Sequence, residues 1–124
     1  MEKASFKQYK GKQIYFVDYS NLKTEEEFLK AINNTNQFRK QNIENKPLKS
    51  LLMLVDFRNS YVIGNVFNRL KESGALTKPF LKKQAMVGLT PGKAAMLKIY
   101  SIFIKDVVNS FNTNEEALEW LIKE

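Results

Sequence analysis

The sequence has 124 residues, 44% of them apolar and 27% charged, enough for one compact core and too few for two ordinary domains. Twenty Lys and Arg against 13 Asp and Glu give a formal charge of +7, and there is no His and no Cys. Without imidazole or thiol there is no Ser-His or Cys nucleophile system, no Cys/His zinc site, no disulfide framework and no redox motif, so any chemistry falls to carboxylates, Lys, Tyr or hydroxyls.

In chain order, Ser5 to Tyr9 and the Lys10-Gly11-Lys12 turn predict a short antiparallel edge strand, paired in a hairpin with the apolar run Ile14 to Val17. Thr24-Glu25-Glu26-Glu27 is a capping box, with three carboxylates at the positive end of the macrodipole. It opens a helix that turns Phe28, Leu29, Ile32 and Thr35 inward and is ended at the latest by Lys46-Pro47. The second run, Leu51 to Val55, is apolar at five consecutive positions, which fits a central strand covered on both faces. Ile63, Val66, Phe67 and Leu70 follow at helical spacing, with Gly74 as the closing residue and 75–83 as a loop.

After a third run, Ala85 to Leu89, the triplet Thr90-Pro91-Gly92 opens a helix in which Met96, Ile99, Tyr100 and Phe103 share a face. Ala94, Ala95, Leu97, Ile102 and Ile104 widen that face and leave Lys98, Ser101 and Lys105 as a narrow polar seam. Such a helix either lies deep in the domain or offers a surface to a ligand or a second subunit. The fourth run, Val107 to Phe111, precedes a second capping box, Thr113-Asn114-Glu115-Glu116, and a docking helix with Ala117, Leu118, Trp120, Leu121 and Ile122. The order (β)βαβαβαβα predicts a single α/β domain over 1–124, with a mixed, mostly parallel sheet of four to five strands and helices on its faces.

The positive charge is uneven, with formal values of +3, +8 and −4 over residues 1–48, 49–105 and 106–124. Seventeen of the 20 bases are Lys, alongside twelve Asn. A solvated exterior or compositional bias explains that usage without an anionic partner, and Arg, the usual reader of phosphates and bases, is scarce. Lys78, Phe80, Lys82 and Lys83 come nearest to a nucleic-acid patch, but the stretch is short, and nucleic acid is not expected as a partner. The N-terminal MEKASFKQYKGK lacks the apolar run of a signal peptide and no stretch has the length of a membrane span, so the expectation is a cytoplasmic protein.

Several stretches resemble the SpoIIAA-like group of STAS-type domains: Gly11 to Ser20, the strand end Leu54-Val55-Asp56, Ala85 to Leu89, and Phe111 to Leu121. The likeness covers nearly the whole chain and rests on sheet ends and caps. It implies a compact α/β domain with a mixed sheet, from a group placed near both anti-sigma-factor antagonists and the lipid-binding CRAL-TRIO fold. Antagonists of this type carry a phosphorylatable Ser in an Asp-Ser-Ser-Gly type turn that opens a helix after a central strand. Here the corresponding place reads Asp56-Phe57-Arg58-Asn59-Ser60, which lacks the Ser-Gly pair and leaves Ser60 as the remaining phosphorylation candidate.

Ligands of open α/β sheets gather at the carboxyl ends of parallel strands. Three exits would then share a rim carrying Asp18, Ser20, Asp56, Arg58, Asn59, Thr90, Gly92 and Lys93. Asp18 and Asp56 could hold Mg²⁺ or act as an acid and base pair, yet neither has the second carboxylate of an Asp-x-Asp. The competing reading has both acids satisfying loop amides. Thr90-Pro91-Gly92-Lys93 lacks P-loop spacing and is explained as a helix start. No catalytic residue, metal or cofactor is assigned. The expectation is a regulatory or protein-interaction module, with a protein partner or a second copy meeting Leu97, Tyr100 and Ile104 and the adjoining rim. The alternative is a domain for a small apolar or anionic ligand or a lipid, with an antagonist-type phosphoswitch third.

Overall fold

Lys10 and Gly11 both have positive φ, 48° and 82°, the geometry that lets a two-residue turn follow the twist of its strands. They join β1 (Ala4–Tyr9) to β2 (Lys12–Asp18) as an antiparallel hairpin closed by the pair Tyr9 and Lys12. The computed structural model describes residues 3–89 and 108–123. The expected helix opened by Thr90, with Gly92, Lys93, Leu97, Tyr100 and Ile104, lies outside them.

Thr24 caps α1 (Glu25–Asn42), its hydroxyl oxygen accepting from the Glu27 amide at 3.1 Å. The Glu27 carboxylate reaches back to the Thr24 hydroxyl, and Thr113 and Glu116 repeat the arrangement at α3 (Asn114–Ile122). α1 ends before Lys46-Pro47. Asn42 donates its side-chain amide to the Phe38 carbonyl, and Ile43, fully buried, turns into the core.

β3 (Leu51–Asp56) is buried at all six positions and occupies the middle of a five-stranded sheet in the order β1-β2-β3-β4-β5. β4 (Leu81–Val87) and β5 (Val108–Phe111) extend it, and every pair after the hairpin is parallel. Side-chain alternation divides the interior in two. Tyr15, Val17, Met53, Val55 and Met86 face α1 and α2, whereas Ile14, Leu52, Leu54, Ala85 and Val87 face Ala117 and Leu121 of α3.

The second helix departs from expectation at both ends. α2 runs Val66–Thr77 and excludes Ile63, which is 46% exposed, because Gly64 takes φ +59 and cannot belong to a right-handed helix in that conformation. Gly74 does not close the helix. Ser73 and Thr77 continue the buried stripe of Val66 and Leu70, and the stop comes from Pro79 in a 3₁₀ turn, Lys78–Phe80. The expected loop 75–83 is therefore helix end, 3₁₀ turn and the start of β4. Nor do its basic residues form one patch: the Lys83 ammonium donates to the Trp120 and Lys123 carbonyls at the end of α3 and lies 5.0 Å from the Trp120 ring centroid. Trp120, expected as a core anchor, is half-buried there, packed 5.3 Å from Phe111. Among the described residues no helix is long and apolar enough to cross a membrane.

Candidate functional site

Asp18 and Asp56 are register partners on adjacent parallel strands, and both continue the face that carries Ile14 and Leu54. Each carboxylate is engaged by its own turn. Asp18 Oδ1 accepts from the Ser20 amide at 3.0 Å and from the Ser20 hydroxyl. Asp56, 2% exposed, accepts from the Arg58 amide and Nε at 3.0 Å each and from Nη2 at 2.7 Å. This is the local satisfaction that Asp favours just after a strand.

Arg58 is thus held from one side while its side chain stays 53% exposed. The Asp56 hydrogen bonds, with smaller effects from Asp18 and Glu115, push its guanidinium further above the ordinary Arg range, so it is charged at any working pH. Three carboxylates around one guanidinium leave the described part of this rim acidic in balance, which disfavours an anionic ligand there.

Main-chain bonds seal the strand exits to one another. Tyr19 N–H donates to Asp56 O at 2.8 Å, Asn21 N–H to Arg58 O at 2.9 Å and Phe57 N–H to Val87 O at 2.8 Å. Asn21 and Asn59 turn the chain through left-handed backbone, φ 59° and 56°, a conformation Asn tolerates well. Gly88, φ +84, lets β4 leave directly beneath Arg58, where a Cβ would lie 2.6 Å from the Arg58 N and Cγ. Phe57 is buried against Tyr19 and Phe28 at centroid distances of 5.8 and 6.4 Å.

The rim therefore gathers Asp18, Ser20, Asp56, Arg58 and Asn59 on one edge, while Thr90, Gly92 and Lys93 lie outside the described residues. Among those residues no group of three His, Cys, Asp or Glu is placed to hold a metal ion. Ser60 does not stand at the start of a helix, since α2 begins six residues later. It is 2% exposed and its hydroxyl donates to the Phe57 carbonyl at 2.7 Å, so a kinase would have to open this turn to reach it.

Two hollows were not foreseen from sequence. Beneath α1 and α2 lies a cavity of about 30 Å³, in contact with Tyr19, Thr35, Ser73, Thr77 and Gln84, room for one or two waters and far too small for an acyl chain. Burial raises the phenols of Tyr15 and Tyr19 well above the usual Tyr range; Thr35 bonds the Tyr19 hydroxyl, whereas that of Tyr15 has no partner. Polar residues at buried stripe positions, Thr35, Ser73 and Thr77, were the available signal for this cavity. The second hollow, on the opposite face of the sheet, is a groove of about 150 Å³ between α3 and the β1–β2 hairpin.

No protein-family model matches the sequence, and no curated protein matches it either. The fold is nevertheless shared with a solved structure, an uncharacterised protein from the DUF3478 family of Shewanella loihica PV-4. It superposes with a TM-score of 0.68 over 95% of this chain and 91% of that one, at 13% sequence identity. That protein is described as having a SpoIIAA-like fold, and the five-stranded mixed sheet with helices on both faces gives this chain the same architecture.

Proposed function

We propose that the chain is a non-catalytic protein-interaction module whose contact surface is the 57–65 loop at the carboxyl edge of the sheet. One observation carries this reading: a loop pinned by buried Phe57 and Ser60 holds Arg58, Tyr61 and Ile63 outward. Tyr61 and Ile63 are 56% and 46% exposed. The loop is tied back to the first crossover by Tyr61 N–H donating to Leu22 O at 2.8 Å, and the Lys23 ammonium lies 4.8 Å from the Tyr61 ring centroid. Arg and Tyr dominate the energetics of protein interfaces, and a loop already ordered loses little entropy on docking. The non-catalytic half of the proposal rests on Asp18 and Asp56, whose carboxylates serve their own turns and an Arg rather than a reacting atom.

The test is a paired one. Immobilised full-length protein and its Tyr61→Ala/Ile63→Asp variant, both shown folded by circular dichroism, are exposed to the same extract, and light scattering follows self-association of each. A partner or second copy held by the parent and weakened at least about tenfold in the variant supports the proposal, as expected for loss of a hot spot. Retention unaffected by the double substitution, or a monomer that retains nothing, refutes it.

A further inference from the structure

The geometry points to a small-molecule site in the α3-face groove, shaped for a single-ring aromatic acid that also carries a hydroxyl or amine. α3 packs on β3, β4 and β5 and leaves the same face of the β1–β2 hairpin open beside it. Lys7 and Ile14 are register partners, so Lys7, Ile14 and Phe16 line one side of the hairpin. With Leu54, Asn114 and Leu118 they enclose the groove of about 150 Å³.

Three features of different chemistry converge there. The Oδ1 of Asn114, the first residue of α3, is shut off from solvent and accepts no hydrogen bond, although buried acceptors are nearly always paired. A donor on a bound molecule would complete it. Ile14, Phe16 and Leu54 form an apolar floor that suits the face of a ring. The Lys7 ammonium lies 4.1 Å from the Phe16 ring centroid, where it can meet the carboxylate of a ring laid on that floor. The neighbouring Tyr9 hydroxyl is already committed to Glu119 at 2.8 Å, which leaves the Asn114 carbonyl to recognise the donor. Volume sets the class, because a hollow of about this size takes one benzene-sized ring and excludes a nucleotide or an acyl chain. The groove shares no residue with the 57–65 loop and stands or falls independently of the interaction reading.

The experiment is titration of the ¹⁵N-labelled full chain with 4-hydroxybenzoate, and with benzoate and phenol as probes that each lack one group. Saturable shifts are expected at the Asn114 side-chain amide and the Phe16 and Leu118 backbone amides, with both partial probes binding about tenfold more weakly. Asn114→Leu should erase the preference over benzoate, Lys7→Ala should erase the preference over phenol, and Leu118→Trp, which fills the groove, should abolish binding. Lys7 is exposed, so its variant keeps the test decisive should Asn114→Leu fail to fold. No saturable shift at millimolar probe, equal affinity for the three probes, or binding that survives Leu118→Trp overturns the proposal.

Discussion

Gly11 and Gly88 make a controlled pair for the packing that seals the carboxyl edge. Their φ values are almost the same, +82 and +84, but a Cβ at Gly11 would meet nothing within 4 Å whereas one at Gly88 would lie 2.6 Å from the Arg58 N and Cγ and 2.7 Å from its Cα. Left-handed backbone costs a non-Gly residue about 1–2 kcal/mol, partly offset by about 0.4–1 kcal/mol from the reduced freedom of the unfolded chain. Gly11→Ala should therefore destabilise by roughly 0.5–1 kcal/mol. Gly88→Ala carries the same conformational term and an overlap with backbone that cannot swing aside, since Arg58 O accepts from Asn21 N–H at 2.9 Å and Val87 O from Phe57 N–H at 2.8 Å. Overpacking of that kind adds about 1–3 kcal/mol, for a total of roughly 2–4 kcal/mol. Urea unfolding of parent and both variants, followed by circular dichroism with the m-value held as a check on two-state behaviour, measures the difference. Equal shifts in midpoint for the two variants would refute the claim that β4 leaves the sheet in close contact with Arg58.

Asp56→Asn replaces a 2% exposed carboxylate that accepts from three Arg58 donors; because the guanidinium is half in solvent, the expected loss is about 1–3 kcal/mol, read by the same unfolding assay. The two buried phenols should separate: Tyr15→Phe, removing an unpartnered hydroxyl, is expected to be neutral or stabilising, and Tyr19→Phe, removing a bond to Thr35, to cost about 1 kcal/mol. Burial raises both phenols, so the stability that each contributes is complete below the ordinary Tyr value near 10 and is lost as pH rises above it; the alkaline tyrosinate absorbance should show a delayed phase that Tyr15→Phe/Tyr19→Phe lacks. Glu119 lies below its ordinary value, first through the Lys10 hydrogen bond and then through Tyr9, so its contribution is present above about 4.5 and fades as pH falls through the lowered value. Glu119→Gln should flatten that acid limb in a pH series of melting temperatures.

What the sequence made legible was local. The hairpin turn, both Thr caps and the central strand follow from chemistry within four or five residues, and each stands where the pattern put it. The errors arose where tertiary structure overrides a local signal. Ile63 completes a helical stripe on paper, but Gly64 adopts left-handed backbone and α2 begins two residues later. Ser73 and Thr77 read as a helix running out into polar loop, yet they are buried at the continuation of the Val66 and Leu70 face. Lys82-Lys83-Gln84 conceals the start of β4, since Lys82 points to solvent, the Lys83 stem crosses Trp120 and only Gln84 is buried. At the candidate site the shared rim was legible, because parallel strands must place Asp18 and Asp56 at the same end. The groove was not, since it joins residue 7, residue 54 and residue 114 through pairings that no local pattern encodes.

The strand order explains why the rim is closed. In open α/β sheets a ligand crevice forms where the order reverses and successive helices leave for opposite faces, prising two strand exits apart. Here the order runs β1 to β5 without reversal, and α1 and α2 both pack on one face. The exits of β2, β3 and β4 are not prised apart, so their loops continue to hydrogen-bond to one another beyond the last ladder pair, from Tyr19 to Asp56 and from Phe57 to Val87. Carboxylates at such an edge must find donors within their own turns, which is what Ser20 and Arg58 supply. The free surface is displaced to two other places: the crest of the 57–65 loop, and the flank of the sheet that α3, reaching β3, β4 and β5, leaves open over the hairpin. A fold of this topology binds at its crest and its flank rather than at the strand ends.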